Sequence, residues 1–495
     1  MSEPKVRGAA AGGPGQFSAA WTDERRRSEE GRRRLKAGRR RANKEILWVV
    51  AAGVAFVAAE LLFVSPRMGL SWDETVYVSQ VSGHAAAAWF DPARARGVPL
   101  LVAPVAYLTG SVVALRVYLS VLAGVGLVLA LLVWRPLRPA WVLALAGTAF
   151  GGLWVAQYYG PQAMPDMWSA VGALAAVGFF LRKSLTALGG CVAFVALMRP
   201  GDAVFLAVPL LAAVVVVRSW RRWELAAAVI GGLAAGGAEW VIEAVVRFGG
   251  VLARLHAAGA EQSGFGLHFG AALDELKALN GPTLCRPCTI GYRQPELDLW
   301  WLLLPVLVVL GVLAARRAPA DLRPPLLGSA LLPAVCGVCL AAQYLFMIDY
   351  AAPRFLLPAY AVLAIPVADG LGWLITGVRP DLRVAMAALV VCFMFAQLAA
   401  QHVVLDHEAG GTVTFHHDYS VIAARLAAVG VRPPCLVSGA QYIPIAFYAG
   451  CASTGSAGRP AVLVGSGHKP PPFARHWHAY RVRGTTVLQV VAYTP

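Results

Sequence analysis

Residues 46–80 read ILWVVAAGVAFVAAELLFVSPRMGLSWDETVYVSQ, and two features of this stretch decide the fold class. The apolar run 46–64 is long enough to cross a membrane, because a spanning helix needs about 20 mostly apolar residues. Two adjacent carboxylates, Asp73 and Glu74, follow the predicted membrane exit and are flanked by Trp72 and Tyr77. The stretch therefore predicts a membrane helix that leads directly into a polar segment at the membrane boundary.

The composition extends this prediction to the whole chain. Of 495 residues, 58% are hydrophobic and 14% are charged, whereas ordinary soluble domains carry about 25% charged residues. We expect an all-α polytopic membrane protein with about eleven transmembrane helices. The predicted spans are 46–64, 112–134, 139–156, 167–181, 184–198, 201–217, 223–245, 298–315, 325–347, 355–376 and 384–404.

Charge in the short loops predicts the orientation, because cytoplasmic loops are enriched in Lys and Arg. Alternate loops are basic, whereas the loop 157–166 has no Lys or Arg. With a cytoplasmic N-terminus and an odd number of spans, the loops 65–111 and 246–297 and the tail 405–495 lie outside. Within the first of these loops, the Pro-broken apolar segment 98–111 is typical of a re-entrant or interface-lying piece.

The N-terminal residues 1–45 form a separate region. Residues 1–44 hold thirteen Lys or Arg and five Asp or Glu, without apolar periodicity. This pattern predicts a disordered basic cytoplasmic tail that fixes topology and contacts anionic lipid. Nucleic-acid binding is the alternative interpretation of the same charge.

The tail 405–495 differs in kind from the spans before it. Short β-branched and aromatic runs alternate with Gly and Pro, and YSVIAARLAAVGV has helical spacing up to Gly430, so we expect a small exterior α/β domain. An oxidising exterior permits disulfides, and two cysteine pairs are candidates. Cys435 and Cys451 lie in the tail, and Cys285 and Cys288 form a C-x-x-C in the loop 246–297, where metal binding or free thiols are alternatives.

Charged residues collect at the predicted outer ends of the spans, where charges are expensive unless they face a cavity or each other. Guanidinium groups match phosphate oxygens, carboxylates accept protons from attacking hydroxyls, and aromatic rings stack on sugars. Such residues suit a substrate that is part lipid and part sugar phosphate. They are Asp73, Glu74, Asp166, Arg116, Arg199 and Arg354, with Tyr77, Tyr158 and Tyr159 as sugar or acceptor contacts.

Structural interpretations of these residues stay open at this point. Asp73 and Glu74 could start a helix, and Asp166, after Pro165, could cap one. The arginines next to prolines, Arg199 and Arg354, could anchor at lipid headgroups.

Five segments in fixed order resemble the GT-C superfamily of membrane glycosyltransferases. They are the first-loop DE with its Tyr, PLLVAPVAYLTG followed by ALRVYLSVLAG, PDMWSA, MRPGDAVFLAVPLL, and APRFLLPAYAVLAIP. That superfamily includes protein O-mannosyltransferases, the lipid A aminoarabinose transferase, and actinobacterial mannosyl- and arabinosyltransferases. The resemblance covers about 46–400, and the tail is similar only in being an exterior domain after the spans.

The resemblance implies an inverting hexosyl- or pentosyltransferase that uses a polyprenyl-phosphate sugar. By position, Asp73 with Glu74 resembles the catalytic acid of the first loop, and Asp166 resembles the acid of the second. Arg354 resembles the arginine near the donor phosphate, with Arg199 and Arg116 as further phosphate contacts. A divalent cation held by Asp73 and Asp166 is an open alternative.

The predicted setting is the cell membrane, with a glycan, lipid or protein acceptor in envelope biosynthesis and no nucleic acid. The high Ala, Gly and Arg content favours a GC-rich genome, hence an actinobacterium and cell-wall synthesis. A transporter or flippase of a lipid-linked sugar is one alternative function, and a non-catalytic envelope scaffold is another.

Overall fold

The computed structural model describes residues 46–262, 264, 266–292, 294–455 and 458–495. The predicted basic tail 1–45 lies outside the described residues. Within them, seven helices are long and apolar enough to cross a membrane, and the chain is a multi-pass membrane protein. These are α1 (Ile46–Phe63), α4 (Val112–Val133), α10 (Trp223–Phe248), α13 (Leu299–Arg316), α14 (Arg323–Phe346), α15 (Leu357–Thr376) and α16 (Arg383–Ala428).

Shorter helices complete the bundle and its loops. Five of them are apolar: α3 (Gly97–Ala106), α5 (Ala140–Gly151), α7 (Pro165–Leu181), α8 (Leu185–Met198) and α9 (Pro200–Val216). The others are α2 (Trp72–Ser79), α6 (Trp154–Tyr159), α11 (Val251–Glu261), α12 (Ala271–Ala278) and α17 (Tyr442–Ala449).

The predicted all-α membrane class is confirmed, whereas the count of eleven spans is not. Each of the eleven apolar runs coincides with a helix, but α5, α7, α8 and α9 have 12 to 17 residues. Prolines at 139, 165 and 200 lie at the starts of three of these helices, where the fixed φ of Pro suits a first helical turn. The segment 98–111 forms the 10-residue helix α3, with Pro104 inside it.

Two helices, α7 and α15, form the centre of the bundle. Nearly every residue of α7 is buried, and the most apolar 18-residue window of Pro353–Thr376, which includes α15, is 94% buried. The two helices contact each other and are surrounded by α4, α5, α8, α13 and α14. Asp166 lies in the first turn of α7, and Arg354 lies just before α15. The most enclosed helices thus carry two of the predicted site residues.

Glycines allow α8 and α10 to pack closely. A Cβ added at Gly232 would lie 2.5 Å from the carbonyl oxygen of Gly189, and one at Gly236 would lie 2.0 Å from that of Ala193. Small residues four apart are a frequent way for membrane helices to bring their backbones together. A side chain at either position would force the two helices apart.

The helix α16 is longer than the predicted span. It runs without interruption for 46 residues, so the predicted span 384–404 and the predicted helix ending at Gly430 are parts of one element. Gly410 and Gly411 lie inside it, and glycine there lowers helix propensity without terminating the helix. The chain leaves the helix at Gly430, where φ is +88°, a conformation that glycine adopts readily.

A four-stranded sheet follows α16. The strands β1 (Cys435–Gly439), β2 (Arg459–Gly465), β3 (His478–Arg481) and β4 (Val490–Thr494) lie in the order β1-β2-β4-β3. β1 and β2 are parallel, and the other two pairs are antiparallel. The candidate pair Cys435–Cys451 is a disulfide that joins β1 to the end of α17.

Replacing Gly236 by Val should lower stability by about 1–3 kcal/mol, the usual effect of overpacking. Gly237→Val is a matched control, because a Cβ at Gly237 meets nothing within 4 Å. Thermal unfolding of both variants in detergent is the measurement. Equal melting temperatures for the two variants would contradict the close α8–α10 contact.

Candidate active site

The helix α2 presents the two adjacent acids in opposite ways because of how it begins. Ser71 and Glu74 form a capping box: the Ser71 hydroxyl accepts the Glu74 N–H, and the Glu74 carboxylate accepts the Ser71 N–H at 3.0 Å. Successive helical residues point about 100° apart. Glu74 is therefore turned into the bundle and is fully buried, while the side chain of Asp73 stays 30% exposed.

Glu74 and Arg116 form a buried ion pair. One carboxylate oxygen of Glu74 accepts from Nη2 of Arg116 at 2.9 Å, and the other accepts from Nη1 of Arg116 and from the N–H of Ala163. Arg116 also donates to the carbonyl oxygens of Gly69, Pro161 and Met68. The pair joins the segment before α2 to the segment before α7.

This geometry does not favour two of the sequence-based assignments, Arg116 as a contact of the donor phosphate and Glu74 as a companion of the catalytic acid Asp73. Arg116 is 1% exposed and its guanidinium is fully used in holding Glu74 and loop carbonyls. Both residues lie behind the candidate site and do not line its cavity among the described residues. The contacts that the structure gives them are structural ones.

Asp73 lies between two arginines. Its Oδ1 accepts from Nη2 of Arg94 at 2.7 Å, and its Oδ2 accepts from Nη2 of Arg354 at 3.1 Å. Arg94 also bonds Asp91 and lies over the ring of Tyr77, 4.8 Å from its centre. Residues separated by up to 281 positions in the sequence therefore meet at one carboxylate.

Asp166 is paired with the remaining arginine. Its Oδ1 accepts from Nη1 of Arg199, while its Oδ2 lies 3.5 Å from Nε of Arg354 and has no hydrogen-bond donor among the described residues. Arg199 lies over the ring of Phe355 at 4.5 Å, which fixes its plane. Arg354 thus lies between the two predicted acids, with Arg199 beside it.

These groups line one polar cavity of about 210 Å³ at the end of the bundle where α7, α9 and α15 begin. The structure brings five of the predicted residues together at this cavity: Asp73, Asp166, Arg199, Arg354 and Tyr77. The charged and tyrosine side chains around the cavity are Asp73, Tyr77, Asp91, Arg94, Asp166, Arg199, Glu261, Arg286, Tyr350 and Arg354.

The two other predicted tyrosines differ in position. Tyr159 lies beside the cavity, with its ring centre 5.7 Å from the guanidinium of Arg354. Tyr158 points away, and its hydroxyl bonds the Thr412 hydroxyl at 2.7 Å. Tyr158 therefore links the second loop to α16, and the structure gives it no contact with the cavity in the described part of the chain.

The arginines hold Asp73 ionised. Burial alone raises the pKa of Asp73, but Arg94 and Arg354 more than offset that effect and hold the pKa at about 2. A general base works best with a pKa near the working pH. In this state Asp73 is an anion at any physiological pH but a weak base.

The loop 246–297 forms one wall of the cavity and supports Arg354. Cys285 and Cys288 form a disulfide, and the backbone of Cys285 exchanges two hydrogen bonds with Ala351, of 2.9 and 3.2 Å. The carboxyl of Glu275 accepts the N–H of Ala352 at 3.0 Å. Burial raises the pKa of Glu275 to about 8, so this support is uncharged at neutral pH. The segment that precedes Arg354 is thereby fixed by residues of the loop 246–297.

Sequence reasoning missed several lining residues: Arg94, Asp91, Glu261 and Arg286. The pair Asp91 and Arg94 lies in DPARAR of the loop 65–111, where an acid and an arginine three residues apart are a detectable but weak signal. Glu261 and Arg286 lie in the loop 246–297, with no nearby pattern. Their importance follows from packing against the cavity, which no local pattern encodes.

The donor set does not suit a divalent cation. Asp73 and Asp166 are the predicted ligands, yet each is already paired with arginines, and Arg354 lies between them. Among the described residues, no group of three or more His, Cys, Asp and Glu is close enough to hold a metal. Cations are bound by several oxygens in a negative site, whereas here guanidinium groups supply the positive charge.

The bundle, with its polar cavity at the ends of the central helices, has the GT-C fold of membrane glycosyltransferases. ArnT from Cupriavidus metallidurans bound to undecaprenyl phosphate is similar over 90% of this chain and 98% of its own, with a TM-score of 0.63 and 13% identity. Its apo structure gives a TM-score of 0.61 with 12% identity, covering 91% of this chain and 98% of that chain.

The apo oligosaccharyltransferase of Archaeoglobus fulgidus is also similar, with a TM-score of 0.50 and 12% identity. That similarity covers 82% of this chain and 63% of the archaeal chain. No protein-family model and no curated protein sequence matches the chain. The identities are low, so the likeness establishes the fold, and the predicted fold class is confirmed.

Glu74→Gln should destabilise the protein strongly, by about 3–5 kcal/mol, because it leaves the charge of Arg116 buried without its partner. The double variant Glu74→Gln/Arg116→Met should lose less than the sum of the single variants. Thermal unfolding of Glu74→Gln, Arg116→Met and the double variant measures this coupling. Asp381→Asn is the control, since it breaks the exposed pair with Arg379 and should change little. Additive losses would show that the buried pair is not coupled.

Proposed function

We propose that the protein is an inverting glycosyltransferase that moves a sugar from a polyprenyl-phosphate donor to an acceptor at the exterior face of the cell membrane. The observation that carries this proposal is the position of Arg354 between Asp73 and Asp166 in one polar cavity. One cavity then offers a candidate base, an acid that can orient a sugar, and cations for a phosphate. The undecaprenyl phosphate in the ArnT structure supports the class of donor.

The arginines are suited to the donor phosphate. Arg354 and Arg199 lie next to each other over the ring of Phe355, at 5.1 and 4.5 Å from its centre. The guanidinium fork binds phosphate oxygens in two parallel hydrogen bonds. In the proposed complex these two arginines hold the phosphate and stabilise the negative charge that it gains as the sugar leaves.

Asp73 is the proposed base. The acceptor hydroxyl oxygen bonds to the anomeric carbon while the bond from that carbon to the phosphate oxygen breaks, and the electron pair stays on the lipid phosphate. The hydroxyl proton passes to Asp73. Asp166 lines the same cavity, and in the proposed complex its carboxylate accepts a sugar hydroxyl and orients the ring.

Donor binding would strengthen the base. In the free protein Arg354 donates to Asp73, and a phosphate that takes hydrogen bonds from Arg354 weakens that interaction. Burial raises the pKa of Asp73, and Arg354 is one of the groups that offset this effect. When the interaction with Arg354 weakens, the pKa of Asp73 therefore rises. The proposed donor therefore converts Asp73 from a weak base into a stronger one as the complex forms.

The position of the charges favours a transferase over the two alternatives. A transporter site is expected near the middle of the membrane, whereas this cavity lies where α7, α9 and α15 begin. A scaffold requires no convergence of Asp73 with Asp166, yet Arg354 contacts both. These observations support catalysis at a membrane boundary.

The remaining partners are also proposals. With the N-terminus cytoplasmic, the cavity and the residues 405–495 face the exterior, and the sheet domain helps to bind a glycan, lipid or protein acceptor in envelope assembly. Arginines replace the divalent cation in this mechanism, because they already occupy the space between the two acids.

Asp73→Asn should reduce transfer by at least about 10²-fold, since a positioned base typically contributes about 10²–10⁴-fold. The measurement is transfer of radiolabel from polyprenyl-phosphate sugars to membrane acceptors, with protein level and melting temperature checked in parallel. Asp381→Asn, an exposed acid in the loop before α16, should keep full activity. Retained transfer by a folded Asp73→Asn protein would refute the assignment of the base.

The pH profile tests the proposed change in Asp73. The acid limb of kcat/KM reports the free enzyme, and that of kcat reports the substrate complex. With a pKa of about 2 in the free protein, kcat/KM should stay flat down to the lowest pH that the protein tolerates. The value of kcat should begin to fall at a higher pH, because protonation disables the base in the complex. The donor is a phosphodiester and does not itself titrate in this range, so identical acid limbs would contradict donor-dependent activation of Asp73.

A further inference from the structure

A second and larger cavity lies at the other end of the bundle. It has a volume of about 730 Å³ and is lined by the ends of α7 and α9, the beginning of α14 and the loop between α9 and α10. The helix α7 has Asp166 at one end, in the polar cavity, and Leu181 at the other, in this groove. The helix α9 likewise begins directly after Arg199, in the polar cavity, and ends at Val216, in this groove. The two cavities are therefore separated by the length of these helices.

The walls of this groove are mostly apolar. Aliphatic residues from α9 and α14 line it, including Ala212, Val216 and Leu331. Trp220 closes one side: its ring packs against Phe180 with 5.7 Å between ring centres, and it lies 2.8 Å from the position of a Cβ at Gly328. A volume of this size lies within the range of about 300–1,000 Å³ that is typical of ligand sites.

The rim of the groove is strongly basic. Lys183 lines it directly, and the segments 182–184 and 217–222, which border it, contain no Asp or Glu. The basic residues in these two segments are Arg182, Lys183, Arg218, Arg221 and Arg222. The acids closest in sequence to the starts of the two neighbouring helices are Asp321, just before α14, and Glu224, in the first turn of α10. An apolar slot with a cationic rim at a helix-bundle end is complementary to a lipid with an anionic headgroup.

We propose that this groove binds one anionic phospholipid, with an acyl chain along α9 and α14 and its phosphate at Lys183 and the arginine-rich segment 218–222. The phospholipid would bridge α7, α9 and α14, three helices whose opposite ends lie at or next to the polar cavity. This inference is independent of the proposed transferase activity, because it concerns a different site and uses none of the residues assigned to the reaction.

Native mass spectrometry of the full, delipidated chain in detergent tests the proposal. The protein is titrated with dioleoyl phosphatidylglycerol and with dioleoyl phosphatidylcholine, which have equal acyl chains. One molecule of phosphatidylglycerol should bind more tightly than phosphatidylcholine does. Lys183→Gln should weaken that binding by about fivefold, the effect of one lysine near an anionic surface. Arg316→Gln, an exposed arginine at the end of α13 that does not line the groove, should leave binding unchanged. Equal binding of the two phospholipids by the wild type would overturn the proposal.

A variant that fills the groove provides a second arm. Ala212→Phe should abolish the preferred site, whereas Val215→Phe, an exposed position on the same helix that does not line the groove, should not. Equal binding by the two variants would overturn the location. Undecaprenyl phosphate should add to the bound phosphatidylglycerol without displacing it. If undecaprenyl phosphate displaces phosphatidylglycerol from the wild type, and this displacement is absent in Ala212→Phe, the phospholipid proposal is overturned. The occupant of the groove is then a prenyl lipid.

Discussion

The buried pair of Glu74 and Arg116 is the interaction on which the candidate site depends. Arg116 comes from α4 and is held among carbonyl oxygens of two loops, while Glu74 takes the N–H of Ala163 as well as the guanidinium. Removing two charges from water is expensive, and such a pair persists only where further hydrogen bonds satisfy the remaining atoms. Because this pair fixes the starts of α2 and α7, it sets the distance between Asp73 and Asp166.

The cavity is constructed from charges that neutralise one another before any substrate binds. Asp73 lies between Arg94 and Arg354, and Asp166 lies between Arg199 and Arg354. Charges in such a site are stable because each has a partner, yet a phosphate that competes for Arg354 changes the state of both acids. In the proposed mechanism, one arginine thereby couples phosphate binding to the basicity of Asp73.

The sequence predicts those parts of the structure that depend on local composition. Apolar runs located every helix of the bundle, and the residues at the helix starts, Asp73, Asp166 and Arg354, were recognised from their order and their expected side of the membrane. The sequence did not predict that Glu74 would be buried and Asp73 partly exposed, because the burial of Glu74 depends on Arg116, 42 residues away. Arg94 and Glu275 were missed for the same reason, since their partners are brought together only by the fold. The number of membrane spans also depends on the whole fold. The helix α8 has 14 residues, and its length alone does not decide whether it crosses the membrane.

The C-terminal sheet domain is connected to the candidate base through the same few residues. The hydroxyl of Tyr448 accepts the N–H of Leu70 at 2.9 Å, and Nδ1 of His416 lies 2.7 Å from the carbonyl oxygen of Gly69. The carbonyl oxygen of Gly69 also accepts a hydrogen bond from Arg116. The ring of Trp72 packs on the ring of Tyr442. The start of α2 is therefore held by the bundle on one side and by the sheet domain on the other. If the sheet domain binds the acceptor as proposed, the bound acceptor contacts the domain that also holds the segment orienting Asp73, and acceptor recognition and base position share one structural element.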